Sequence, residues 1–141
     1  MWMDLLFFAP MAILSNTSLP IAFDPVLIAY VATHSTRAAC AFAVAGSICA
    51  GLAGIADAKF LGLVRGRVSD RWLKWLPSWQ GRGFYLFTFL FALMPLPFTV
   101  VRLAVVRYRP HALLYSLVIF LGRLPRYLLV VFLFSVTRSQ L

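Results

Sequence analysis

Residues 38–56 form an apolar stretch of nineteen residues with no charged residue and no proline. A helix needs roughly 20 apolar residues to cross the hydrocarbon core of a bilayer. The whole chain has 141 residues, of which 62% are hydrophobic and 12% are charged. A soluble domain of this size has about twice that share of charged residues and needs them to cover its surface. The sequence therefore predicts an all-α, polytopic integral membrane protein, folded as one small helical bundle.

Small residues recur at every fourth position along this stretch. The two series are Ala39, Ala43, Ser47 and Gly51, and Gly46, Ala50 and Gly54. Small residues at this spacing let two helices approach closely within lipid. We therefore expect a spanning helix over residues 38–58 at the packed centre of the protein, and the same faces would also allow a homo-oligomer.

The charge balance is strongly basic, with 13 Lys and Arg against 4 acidic residues and a net charge of +9. The cations lie between and inside apolar runs, whereas nucleic-acid-binding proteins place them on a solvated face. We therefore expect membrane lipids with anionic headgroups as partners, and no nucleic acid.

A basic segment, residues 59–82, follows the central apolar stretch. It holds six cations and one acid, interleaved with Trp72, Trp75 and Trp79. Cations and tryptophans together are typical of a segment at headgroup depth, and the positive-inside rule places this linker in the cytoplasm. An ordinary cytoplasmic loop is the alternative.

Prolines interrupt two further apolar regions. Pro20 and Pro25 break residues 15–37, after a short N-terminal helix over residues 1–14, and Pro95 and Pro97 break residues 83–109. A full crossing by the second region would leave three arginines in a short external loop, against the charge rule. Two re-entrant, proline-broken hairpins avoid this conflict.

The C-terminal apolar region, residues 110–137, contains a short polar run at residues 122–127. One tilted helix would place that run at membrane depth. Two half-segments broken at Pro125 would place it in an interfacial loop. The sequence leaves both interpretations open.

Five ionisable residues lie within these apolar regions, where each costs about 2.5–3.5 kcal/mol to insert. They are Asp24, Asp57, Arg102, Arg123 and Arg126. Paired broken segments typically mark a transporter site near the midplane, which predicts that Asp24 and Arg102 pair across the two hairpins. Alternatively, Asp24 caps a helix that starts at Pro25, and the C-terminal arginines extend to headgroups.

The residue sets of common enzymes are missing from the sequence. There is no Glu, His34 and His111 are far apart, and Cys40 and Cys49 point to opposite faces of one helix. No Cys/His ligand cluster or glycine-rich phosphate loop occurs. We therefore expect no enzyme activity, no metal and no cofactor.

The arrangement resembles the DedA-like, or VTT (SNARE-associated Golgi protein), membrane family, in its short branch. The run over residues 122–127 is similar to the family's Gly-basic-x-x-Arg-Tyr run. Pro20 with Asp24 resembles its first hairpin, and Pro95 and Pro97 with Arg102 its second. The chain departs from the family in having Asp24-Pro25 where a Glu beside a Gly is usual.

The resemblance implies a multi-pass protein of the bacterial inner membrane that moves phospholipid or polyprenyl phosphate between leaflets. It implies that the lipid phosphate binds Arg102, Arg123 and Arg126, with Asp24 as their charge partner. A membrane assembly subunit without transport activity, or a transporter of small solutes or ions, is the alternative.

Overall fold

The computed structural model describes residues 23–64, 81–94 and 99–138, and this part of the chain is entirely helical. The five helices are α1 (Phe23–Thr33), α2 (Thr36–Val64), α3 (Arg82–Leu93), α4 (Thr99–Tyr108) and α5 (Ala112–Arg138). The all-helical prediction is confirmed for these residues. The expected N-terminal helix over residues 1–14 lies outside them, as do the prolines at 20, 95 and 97 and most of the basic linker.

Two of the helices, α2 and α5, are long and apolar enough to cross a membrane. Helix α2 covers the expected span over residues 38–58 and continues to Val64, so the first residues of the expected linker are helical. Helix α5 continues through Pro125 without a break. The C-terminal region is therefore one long helix, and the alternative of two half-segments is wrong.

The small residues of α2 lie against α5. A Cβ atom added at Gly54 would stand 2.8 Å from Cδ1 of Ile119, and one at Gly51 would stand 3.3 Å from Cβ of Phe120. The Ser116 hydroxyl donates a hydrogen bond to the Gly51 carbonyl at 2.6 Å. In the most apolar 18-residue stretch of each helix, 50% of the residues of α2 are buried and 22% of those of α5. The small residues thus make α2 the central helix, as expected.

Helices α3 and α4 form a hairpin. The rings of Phe84, near the start of α3, and Tyr108, at the end of α4, have centroids 5.8 Å apart. The outer ends of the two helices therefore meet, and the chain reverses between them. Their 12 and 10 residues correspond to about 18 Å and 15 Å of rise, roughly half of a hydrocarbon core.

The outer ends of this hairpin lie beside the start of α5 and the last turns of α2, and we call this side the hairpin end. The backbone N–H of His111 donates to the Tyr85 hydroxyl at 3.2 Å, which satisfies one of the free donors before α5. The core at this end contains Phe84 of α3, Val105 of α4 and Tyr115 of α5. Ala58 and Leu61 of α2 pack against it. Arg109 has a φ of 48° and precedes Pro110, so α4 cannot continue past this point.

The opposite side, which we call the turn end, joins α1, the start of α2 and the second half of α5. Its core residues are Leu27, Tyr30, Val31, Ala39, Phe42, Ala43, Tyr127 and Val131. Tyr30 stacks between His34 and Phe42, with centroids 4.0 Å and 4.3 Å away. The turn between α1 and α2 is thereby fixed against the bundle.

Candidate functional site

A buried ion pair joins α2 to the hairpin. Nε of Arg102 donates to Oδ2 of Asp57 at 2.8 Å, and the two side chains are 15% and 5% exposed. Charge-assisted hydrogen bonds of this length are stronger than neutral ones. The pair therefore fixes α4 to the central helix at a point removed from solvent.

Local packing explains why these two residues meet. Asp57 follows Gly54 by three positions and Ala50 by seven, so it shares the small-residue face of α2. On α4, Val101 and Val105 are fully or almost fully buried. The packed faces of the two helices thus carry Asp57 and Arg102 into contact.

Arg126 of α5 contacts the inner end of α3. Its Nη1 donates to the carbonyl of Met94, the C-cap residue of α3, at 3.1 Å. The last carbonyls of a helix lack partners within the helix and form the negative end of its dipole. A cation at this position therefore stabilises the inner end of α3.

Gly122 allows that contact. A Cβ atom there would stand 2.6 Å from Cβ of Ala92 and 3.0 Å from the Phe89 carbonyl oxygen. No side chain fits between α5 and α3 at this point. Glycine therefore lets the tip of α3 lie directly on α5, one turn from Arg126.

Tyr115 of α5 packs beside the segments of α2 and α4 that carry the ion pair. Its side chain is fully buried, and its hydroxyl has no hydrogen-bond partner among the described residues. Its ring lies one turn from Asp57, because a Cβ atom added at Gly54 would stand 3.7 Å from Cδ1 of Tyr115. It also packs in one core with Val101 and Val105, the neighbours of Arg102 on α4. We call Asp57, Arg102 and Tyr115 the polar cluster.

The three arginines expected to bind phosphate lie at increasing depth from the hairpin end. Arg102 precedes the end of α4 by six residues, which is about 9 Å of helix. Arg123 and Arg126 follow the start of α5 by about 16 Å and 21 Å. They form a series from one end of the bundle to the hairpin tip.

The structure describes the region of the expected first hairpin, residues 15–37, only from Phe23 onward. Asp24 and Pro25 lie in the first turn of α1, Pro25 is exposed, and the side chain of Asp24 lies outside the described residues. The expected pair between Asp24 and Arg102 stays a prediction. Pro20, Pro95 and Pro97 as hairpin breaks also lie outside the described residues.

Sequence reasoning missed two members of the polar cluster. Asp57 is visible as a charge at the end of the central apolar stretch, but the sequence assigns it no partner. Its position on the face of Gly54 is the signal that indicates burial against another helix. Tyr115 has no sequence signal, because one tyrosine in an apolar helix resembles many others.

The chain matches none of the protein-family models, curated proteins or solved structures with which it was compared. Within residues 23–64, 81–94 and 99–138, no group of three His, Cys, Asp or Glu residues could hold a metal ion. Fold and site together define a helical protein with two potential spanning helices and a hairpin of two shorter helices. A buried ion pair joins this hairpin to the central helix α2.

Proposed function

We propose that this chain is a polytopic membrane protein that moves phosphate-bearing lipids, phospholipid or polyprenyl phosphate, between the leaflets of a bilayer. The surface of α5 supports the membrane location. Leu113, Leu117, Leu129 and Phe132 are between 50% and 65% exposed on it. An apolar surface of this extent favours contact with lipid.

The α3–α4 hairpin is re-entrant in this proposal. Each of its helices is too short to cross, and their outer ends lie on one side. Backbone carbonyls at membrane depth need partners from protein. Arg126 supplies one to Met94, as a re-entrant tip requires.

The observation that carries the proposal is the Asp57–Arg102 pair, with further arginines at greater depth along the same bundle. Ionisable residues at membrane depth are costly and typically mark a transport path. Arginine suits phosphate because its planar guanidinium presents several donors in a fork. The similarity of residues 122–127 to the run in the DedA-like family also points to phosphate-bearing lipids as the substrate.

Charge placement supports a cytoplasmic hairpin end. Among residues 23–64, 81–94 and 99–138, the cations on this side are Lys59, Arg82, Arg107 and Arg109, which flank the basic linker in the sequence. The positive-inside rule assigns such a side to the cytoplasm. The resemblance to the DedA-like family adds the inner membrane of a bacterium to the proposal.

The test is lipid translocation in liposomes that contain the purified protein. A headgroup-labelled fluorescent phospholipid is followed by adding a membrane-impermeant quencher. We expect Arg102→Ala and Arg126→Ala to lower the rate at least about tenfold, the loss of one charge-assisted contact in the path. Arg37→Ala is the control, because Arg37 is an exposed cation at the turn end.

Translocation by Arg102→Ala at the parent rate would exclude this mechanism. Absence of translocation by well-inserted parent protein would favour a membrane assembly subunit or a small-solute transporter. In that case the arginines would serve as anchors for anionic headgroups.

A further inference from the structure

We propose that Asp57 is the resident anion of a phosphate site built by Arg102 and Tyr115, and that an arriving phosphate group takes its place. The identity of the phosphate as a lipid headgroup rests on the proposed function. The site itself rests on the geometry of the polar cluster.

The ion pair has the geometry of an occupied anion site. One carboxylate oxygen lies 2.8 Å from the guanidinium Nε, which is the distance a phosphate oxygen would adopt. Both side chains are largely buried, so little water competes for the contact. A phosphate that binds Arg102 through this nitrogen must therefore displace Asp57.

The Tyr115 hydroxyl is a buried donor, in the core beside the pair, that the carboxylate leaves unused. A fully buried hydroxyl without a partner is unfavourable, and no described residue accepts from it. A carboxylate offers two oxygens in one plane, whereas a phosphate offers its acceptors in a tetrahedral arrangement. A phosphate bound to Arg102 could accept from Tyr115 at the same time.

Charge balance favours exchange over simple addition. The Arg102–Asp57 pair is neutral as it stands. A phosphate monoanion that takes the place of the carboxylate keeps Arg102 paired, whereas one added beside the carboxylate would place two buried anions on one cation. Asp57 is thus a competitor of the ligand as well as a structural partner.

The experiment measures anion binding by the full chain in a maltoside detergent, which carries no phosphate. The melting temperature is followed against inorganic phosphate and, separately, dihexanoyl phosphatidic acid, with chloride as the comparison anion. We expect Asp57→Asn to bind about tenfold more tightly than the parent. We expect Arg102→Ala to lose binding.

Tyr115→Phe tests the site without disturbing the ion pair. We expect it to weaken binding about fivefold, one neutral hydrogen bond. Tyr127→Phe is the matched control, because Tyr127 is equally buried but packs in the core of the turn end. It should bind as the parent does.

Equal or weaker binding by folded Asp57→Asn would overturn the proposal. If that variant does not fold, unchanged binding by Tyr115→Phe would overturn it instead. A response to inorganic phosphate supports a site for the free ion as well, and a response to the lipid alone supports a headgroup site. If the affinities follow the expected order but the protein moves no lipid, the phosphate site is supported and the proposed function is overturned. If the protein moves lipid but the affinities do not follow that order, the proposed function stands and the phosphate site is overturned.

Discussion

Asp57 and Arg102 stabilise the bundle only while both are present. Burying a charge costs several kcal/mol, and the attraction between the two offsets that cost. Removing one partner leaves the other buried without compensation. Removing both leaves two apolar helices in contact.

This predicts strong coupling between the two residues. We expect Asp57→Leu and Arg102→Met each to lower the free energy of unfolding by about 3 kcal/mol. The double variant should lie within about 1 kcal/mol of the parent, as paired replacement of buried ions typically does. Denaturation in detergent measures all four proteins. Additive losses in the double variant would contradict a direct interaction.

At this scale the sequence identifies charges but not their partners. Asp24 and Asp57 are both acids in apolar runs, and either could be matched to Arg102 by composition. Which acid lies beside Arg102 depends on which faces of the helices pack together. Asp57 and Arg102 are 45 positions apart in the sequence, so local patterns do not show this. Tyr115 depends on the same packing, so its place in the cluster is not predictable from the sequence.

At the scale of elements, glycines determine how closely the hairpin approaches α5. A Cβ atom added at Gly122 would have atoms of Ala92 and Phe89 within 3.0 Å, while one added at Gly62 would have nothing within 4 Å. Both glycines are helical, so the cost of glycine in a helix is similar at the two positions.

The two glycines therefore respond oppositely to alanine. Gly62→Ala should raise the free energy of unfolding by about 0.5–1 kcal/mol, because alanine is the better helix former. Gly122→Ala should lower it by about 1–3 kcal/mol, because α3 must shift. Thermal denaturation compares the pair. Equal stabilisation by both substitutions would show that α3 does not approach α5 at Gly122.

The ends of the helices are predictable from the sequence where charged residues and helix-breaking prolines occur together. The reversal within residues 83–109 follows from the arginines around Tyr108, and the α3–α4 hairpin has that form. The sequence ends the central span at residue 58 because Lys59 follows, but α2 continues to Val64. An exposed lysine does not end a helix, since its side chain reaches the surface. Likewise Pro125 removes one backbone donor, and α5 tolerates the loss.

At the scale of the whole molecule, the ends of the helices separate into two sides. The hairpin end has the start of α3, the end of α4 and the start of α5, as the contacts Phe84–Tyr108 and His111–Tyr85 require. The turn end has the short connection between α1 and α2. Because the start of α3 and the end of α4 both lie at the hairpin end, the chain is back on the side where α2 ends when α5 begins.

Labelling of single cysteines with an impermeant maleimide tests this arrangement. In a chain with Cys40 and Cys49 replaced by alanine, Arg82→Cys and His111→Cys are both exposed at the hairpin end, and Ser35→Cys is exposed at the turn end. We expect positions 82 and 111 to be labelled from the same side of inverted membrane vesicles, the cytoplasmic one. Position 35 should be labelled only from the other side.

Labelling of positions 82 and 111 from opposite sides would mean that residues 83–109 cross the membrane completely. Three arginines would then lie outside, against the positive-inside rule. Labelling of all three positions from both sides would mean that the apolar face of α5 is covered by something other than a sealed bilayer.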